Sequence, residues 1–339
     1  MKVVVTGGTG FVGSHSVAAL LRRGHDVRLL VRNPARVEHA LGPLGLDRAV
    51  ETVVGDVTDA RKVEQALEGC DGVLHAAAVF TLDRRRDDEI AATNVRATEL
   101  VLGTAHRLRL DPIVHVSSVS ALLPPAGPVL RPDDEPGHPS GIYARSKADA
   151  ERVARAMQAD GAPVVITYPG AVWGPNDPTR GEQVQTVVNF LKSGVIPVTT
   201  GGMLVVDARD LGAVHAACFE RIRGARRYMA GGEFLTLPRL VEILRALTGR
   251  RLLRVPVPAP TMRALGALSD VVQRIAPISL PLTHEAMVTL TGGVPCDDGR
   301  TTDELGIVFR PAEETIGDTL GWLHEVGGLT AHHVGRLAH

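Results

Sequence analysis

A chain of 339 residues, 44% hydrophobic and 22% charged, with a formal net charge of −1, describes a soluble globular protein of roughly one to three domains. That balance excludes a global pull toward nucleic acid or an anionic membrane, and no apolar stretch reaches the roughly twenty residues of a membrane-spanning helix. Cys70, Cys218 and Cys296 lack CxxC spacing, and the 13 histidines lack metal-ligand spacing, so neither a disulfide framework nor a metal site is expected. The N-terminal valines run straight into glycines, unlike the long apolar region of a signal peptide, and a reducing, cytoplasmic location is the expectation.

In chain order, short apolar runs alternate with helical patterns, the signature of βαβ units and a parallel sheet. Residues 3–5 read as the first strand and 13–23 as a helix, with Val17, Leu20 and Leu21 at helical spacing and Gly24 as its stop. Further strands are read at 27–31, 52–54, 72–75, 113–116, 164–167 and 227–230. After Gly170 prolines become frequent and the alternation stops. The fold class expected is therefore α/β: a Rossmann-type doubly wound parallel sheet with a smaller, interleaved C-terminal substrate lobe. Residues 1–170 form the dinucleotide-binding domain, to which 206–232 return; 171–205 and 233–326 form the lobe; 327–339 are a loose tail. In the lobe, 262–272 read as an amphipathic helix whose apolar face is either core or, with Leu280, Leu282 and Met287, the lining of an apolar pocket.

The turn TGGTGFVG, residues 6–13, follows a strand and opens a helix, the context in which a glycine fingerprint signifies dinucleotide binding. Gly7 would allow a sharp exit from the strand, Gly10 close approach of a pyrophosphate, and Gly13 packing of helix on sheet. Thr9, Phe11 and Val12 complete this cradle. At the end of the second strand, where an acidic residue would select NAD, stand Arg32 and Asn33, with Arg36 a helical turn on. A guanidinium suits a 2′-phosphate, so NADP is the expected cofactor, with NAD as the other nicotinamide the site would take. The competing reading is a solvated loop arginine. Asp56, followed by Val57, ends the third strand and either accepts from an adenine amino group or caps the next helix.

Tyr143 and Lys147 lie four apart on one helix face, so the ammonium can stabilise the phenolate and let the phenol exchange a proton near neutral pH. Val116, Ser117, Ser118 and Ser120 lie at the end of the fifth strand, where parallel-sheet ligands bind. Any of the three serines could orient a substrate oxygen beside Tyr143.

These motifs, with Gly55-Asp56-Val57-Thr58-Asp59, Leu74-His75-Ala76-Ala77-Ala78, Thr93-Asn94-Val95 and Pro169-Gly170 in the same order, resemble the extended short-chain dehydrogenase/reductases, the NAD(P)-dependent epimerase/dehydratase family. The stretch around Arg32 and the closing Arg310 to Trp322 pattern look most like the dihydroflavonol reductase-like branch. The resemblance implies a catalytic set of Ser118, Tyr143 and Lys147, Lys147 also holding the nicotinamide ribose. It implies that Ala76, Ala77 and Ala78 line the cofactor, that Asn94 supports the site, and that Tyr168, Pro169, Gly170 and Val172 pass beside the nicotinamide. A helix-paired homodimer and a small-molecule substrate follow from the same likeness. Tyr168 stands where that family usually has arginine.

The expected activity is NADP(H)-dependent hydride transfer to or from a carbonyl or secondary alcohol of a small, fairly apolar substrate. A nucleotide-sugar epimerase with tightly bound NAD is the second reading, left open by Arg180, Arg250, Arg251 and Arg254 in the lobe; a non-catalytic NADP-sensing regulator is the third. Ser118 is followed by apolar residues rather than an acidic pair, which argues against dehydration.

Overall fold

The computed structural model describes residues 1–78, 87–221, 224–275 and 283–338. The first half of the chain alternates strand and helix: β1 (Lys2–Thr6), α1 (Phe11–Arg22), β2 (Asp26–Val31), α2 (Ala35–Leu41), β3 (Val50–Val54), α3 (Ala60–Leu67), β4 (Gly72–His75), α4 (Asp87–Arg107), β5 (Ile113–Val116), α5 (Ile142–Ala159) and β6 (Val164–Pro169). Then come β7 (Ala171–Trp173), α6 (Glu182–Ser193), β8 (Val195–Val198), β9 (Gly202–Asp207), α7 (Ala208–Arg221) and β10 (Arg226–Ala230). The remainder holds β11 (Glu233–Thr236), α8 (Leu237–Thr248), β12 (Leu253–Pro256), α9 (Ala259–Ile275), α10 (His284–Gly292), α11 (Gly299–Leu305), α12 (Ala312–Glu325) and α13 (Ala331–Val334).

Seven strands make one parallel sheet in the order β10-β6-β5-β4-β1-β2-β3. Strand direction is therefore common, and all C-terminal ends open on one edge. Side chains alternate across the sheet: Val3, Val5, Leu29 and Val114 pack with Val17 and Leu20 of α1 and Leu211 and Val214 of α7. Val4, Leu30, Val73 and Ile113 face the other way, against Val63 of α3, Val101 of α4 and Ala154 of α5. Cover on both faces explains why β4, β5 and β6 are buried throughout and read as continuous apolar runs. The order of strand addition reverses between β1 and β4, and that switch point leaves a crevice at the carboxyl edge.

The second lobe carries two small sheets, β11-β9-β7 and β12-β8, around a third core that includes Trp173, Leu191, Ile196, Leu240 and Leu320. The segment from residue 327, expected to be loose, is folded instead. Leu329 and Val334 are buried in that core, and Arg250 donates to the His333 carbonyl at 3.4 Å. Leu337 and Ala338 pack against the same core. α9 departs from the core reading: Leu265, Leu268 and Val271 point outward, 48%, 61% and 48% exposed, while Met262, Ser269 and Asp270 are buried. Its contact with α10 runs through Gly266, where any side chain would strike the Thr283 and His284 backbone, so close approach and not hydrophobicity sets its rotation. Met287 is buried, and Leu280 and Leu282 lie outside the described residues. No described helix is long and apolar enough to cross a membrane.

Candidate active site

The glycine turn sits at the β1–β4 switch point. Gly7 has φ of +74° and lies so close to the end of β4 that a Cβ there would meet the Ala77 nitrogen at 2.6 Å; only glycine satisfies both conditions. A Cβ on Gly13 would strike the Gly7 carbonyl. Gly10 differs. Its φ is −92°, and an added Cβ would meet just the Gly7 carbonyl oxygen, at 3.4 Å. Neither backbone strain nor protein packing demands glycine there. What the missing side chain leaves is open space beside the start of α1, which has no side-chain cap, so its first N–H groups are available to an anion. The turn thus fits a dinucleotide pyrophosphate. Gly10→Ala should keep the melting temperature within about 2 °C yet weaken the reduced nicotinamide dinucleotide at least about tenfold, roughly 1.4 kcal/mol, measured by fluorescence titration. Gly13→Ala should instead lower the melting temperature. Equal behaviour of the two variants would contradict this division.

Thr9, Phe11 and Val12 surround the turn, Phe11 edge-on to His15 at 5.3 Å. Arg32, Asn33 and Arg36 are exposed at the end of β2; Asn33 accepts the Ala35 N–H at 3.1 Å, opening α2 and leaving Arg32 to face outward. Asp56 and Val57 follow β3. The Asp56 carboxylate accepts the backbone and hydroxyl of Thr58 at 2.9 and 2.6 Å. Partial burial would raise its pKa, but these bonds and nearby Arg32 outweigh burial and hold it below the ordinary value. The cap of α3 is Asp59, which accepts from Arg61 and Lys62. The capping role weighed for Asp56 therefore falls to Asp59, and Asp56 keeps a charged carboxylate at the sheet edge.

At the end of β4, Ala76 and Ala77 are half-buried and Ala78 exposed; the Ala77 N–H donates to the Thr6 hydroxyl at 3.3 Å. The Thr6 hydroxyl also meets His75 Nδ1 at 2.7 Å. Between sheet and helices runs a polar seam. Thr98 donates to the Asn94 carbonyl at 2.9 Å, Asn94 Nδ2 to the Ser146 hydroxyl at 3.0 Å, and Ser146 to the Tyr143 carbonyl at 2.8 Å. Asn94, only 3% exposed, therefore braces the first turn of the helix that carries the phenol.

On α5, the Lys147 ammonium donates to the Val116 carbonyl at 2.9 Å and is buried. Burial drags its pKa down to about 8, with the Glu151 carboxylate opposing, so near neutral pH the cation persists without water around it. The three serines separate by environment. Ser117 is buried and its hydroxyl lacks a partner among the described residues. Ser118 accepts from the Ser120 backbone and hydroxyl at 3.2 and 2.9 Å, which leaves its own proton to donate. Ser118 also opens the short helical turn Val119–Leu122, which packs on α5.

Tyr168 corrects an expectation. Its side chain is fully buried between β6 and α5, the hydroxyl donating to Glu151 at 2.5 Å and receiving from Arg155 at 2.9 Å, so the phenol cannot line a cofactor. Alternation along β6 turns it inward. Gly170 is needed for packing, since a Cβ would meet Leu204 at 2.8 Å and the Gly231 carbonyl at 2.9 Å; Pro169 precedes it at the end of β6 and Val172 packs against the main core.

Sequence reading missed Glu285. From the first turn of α10, its carboxylate accepts the Ala144 N–H at 2.9 Å, and a Cβ on Gly141 would collide with it. The second lobe thereby caps the helix bearing Tyr143. Among the described residues, no group of three or more His, Cys, Asp or Glu is placed to hold a metal.

The sequence profile of the NAD dependent epimerase/dehydratase family matches residues 3–227. "Sterol demethylase protein B" of Methylococcus capsulatus is 30% identical over 332 residues, covering 96% of this chain and 99% of that protein. A "Putative dihydroflavonol 4-reductase" of Synechocystis is 27% identical over 350 residues, covering 95% and 94%. Among solved structures, the dTDP-glucose 4,6-dehydratase DesIV of Streptomyces venezuelae, with NAD bound, superposes with a TM-score of 0.74 at 26% identity, covering 97% of this chain and 98% of that one. The glycine cradle, the parallel sheet and the profile match over most of its length agree: this chain belongs to the NAD-dependent epimerase/dehydratase family, the extended short-chain dehydrogenase/reductases.

Proposed function

We propose that the protein is an NADP(H)-dependent reductase of a carbonyl group on a small, largely apolar molecule, working through Ser118, Tyr143 and Lys147. One observation carries the reading: a buried ammonium bonded to the Val116 carbonyl at the end of β5 lies one helical turn from Tyr143, and two residues after Val116 comes Ser118, whose hydroxyl proton is left free to donate. When bound, the nicotinamide supplies hydride to the carbonyl carbon. Ser118 donates a hydrogen bond to the carbonyl oxygen and holds it for Tyr143. The Tyr143 hydroxyl gives that oxygen its proton, and the Lys147 charge stabilises the phenolate left behind. Gly7, Gly10 and Gly13 would receive the pyrophosphate, Arg32 and Arg36 the 2′-phosphate, and Asp56 the adenine.

Two observations favour this over sugar-nucleotide epimerisation. A diphosphate clamp needs several spare cations, and three of the four read in the lobe are engaged: Arg180 donates to the Val326 carbonyl, Arg250 to those of Leu191 and His333, and Arg254 pairs with Glu242, which leaves the exposed Arg251. The relatives named for sterol and dihydroflavonol chemistry support an apolar carbonyl substrate. The test is NADPH consumption against a panel of hydrophobic ketones and aldehydes, with Arg32→Asp alongside. The wild type should consume NADPH with at least one of them. Arg32→Asp should raise KM for NADPH at least about tenfold, the value of one charge-assisted pair, and improve use of NADH. Tightly retained NAD and no NADPH consumption would favour epimerase, and no turnover at all would favour a sensor.

A further inference from the structure

We propose that Glu151 is a positioning residue of the active site: clamped by Arg155 and Tyr168, it is the buried counter-charge of Lys147. This rests on the catalytic reading above. Tyr143, Lys147, Glu151 and Arg155 stand four residues apart along α5. Side chains at that spacing lie over one another on a helix, so the phenol, ammonium, carboxylate and guanidinium form one row leading from the site into the interior. Glu151 is completely buried. One carboxylate oxygen is saturated, receiving Arg155 Nε at 2.7 Å and the Tyr168 hydroxyl at 2.5 Å. Arg155 is fixed in turn by the Tyr168 hydroxyl and the Asp134 carbonyl, at 2.9 and 2.7 Å, and its side chain is 9% exposed.

The second carboxylate oxygen of Glu151 is buried with no hydrogen-bond donor among the described residues. Such an atom is costly, and a full brace to Arg155 would use both oxygens of a bidentate pair. The arrangement instead pairs Arg155 with one oxygen and leaves the other bare in a low-dielectric interior, one turn below the ammonium. The other groups around Lys147 do not supply that charge. His75 on β4 and His115 on β5 are held neutral by burial, and Lys147 itself lowers both further. Tyr168 on β6 keeps its phenol proton, its pKa pushed far up by burial and Glu151, while Tyr143 is the phenol Lys147 serves. Asn94 and Ser146 are uncharged. Burial opposes charge on Lys147, and Glu151 is the group that resists it.

The experiment follows Lys147 directly. Lys2, Lys62, Lys147 and Lys192 are the lysines of the chain, so side-chain NMR of isotope-labelled protein is uncrowded, with Lys147→Met for assignment. In Glu151→Gln, which keeps a hydrogen-bond acceptor for Arg155 and Tyr168, the Lys147 midpoint should fall by at least about one pH unit. The alkaline limb of kcat/KM should move with it. Tyr168→Phe, which keeps the carboxylate charge, should lower the melting temperature and leave the midpoint in place. If Glu151→Gln does not fold because Arg155 is left unpaired, Glu151→Gln with Arg155→Gln removes both charges, and the midpoint shift must persist. An unmoved Lys147 midpoint in the folded variants overturns the proposal and makes Glu151 a brace between α5 and β6. Because the NMR titration needs no turnover, a failure of the reductase reading shows separately, as absence of ketone reduction with the midpoint shift intact.

Discussion

Tyr143→Phe should lower kcat for carbonyl reduction by about a thousandfold, within the range general acid catalysis supplies, and leave NADPH affinity within about threefold. The substitution removes one oxygen and leaves the backbone contacts of the helix start in place. The first turn of α5 is held by backbone contacts: the Tyr143 carbonyl accepts from Ser146, and the Ala144 N–H donates to Glu285. The glycine cradle lies at the start of α1, on a different loop. Chemistry and cofactor binding should therefore separate cleanly, in steady-state kinetics for the first and fluorescence titration for the second. Parallel loss of both would mean that the phenol holds the cofactor and does not serve as the acid. Ser118→Ala should give a smaller loss, since it removes one hydrogen bond to the oxygen and leaves the proton donor in place.

Mild acid should unfold the protein, between about pH 6 and pH 4.5. Burial lowers the imidazoles of His75 and His215 to about 3 and takes His115 well below its ordinary value, the nearby Lys147 adding to this for His75 and His115. Each ring is neutral in the folded chain and takes up its proton near pH 6.5 when unfolded. Stability from this source is complete above about pH 6.5 and drains away as the pH falls toward the folded values. At pH 5 the deficit is about 2 kcal/mol for each fully buried ring, and three together rival the roughly 5–15 kcal/mol that holds a domain folded. The melting temperature should drop steeply from pH 7 to pH 5. His115→Leu should flatten that dependence, because both nitrogens of His115 are buried without partners and an apolar replacement leaves no broken bond. A melting temperature unchanged over this interval would show that the rings are not buried as neutral groups.

The dinucleotide half was legible because its signals are local. Strand, glycine turn and helix follow one another within a few residues, and a parallel sheet buried on both faces leaves continuous apolar runs. Tyr143 and Lys147 could be paired from helical spacing alone. The same spacing reaches Glu151 and Arg155, yet nothing in it reveals that Glu151 is fully buried, because that depends on Tyr168 arriving from β6. Glu285 was invisible for a different reason: 141 residues separate it from its partner Ala144, and a helix-capping glutamate in a distant segment has no sequence period. The lobe was read poorly since its strands, such as Ala171–Trp173 and Leu253–Pro256, are too short to show alternation. The core reading of α9 failed, its apolar stripe facing outward where Gly266 fixes the contact with α10.

The most direct test uses NADPH carrying deuterium at the transferable position of its nicotinamide ring, mixed with a ketone the enzyme consumes, followed by mass spectrometry and NMR of the product. One deuterium per molecule, on the carbinol carbon, with oxidised cofactor released in equal amount, is the predicted result. Product without the label, or cofactor that stays bound and unchanged while the substrate only inverts a centre, would contradict it.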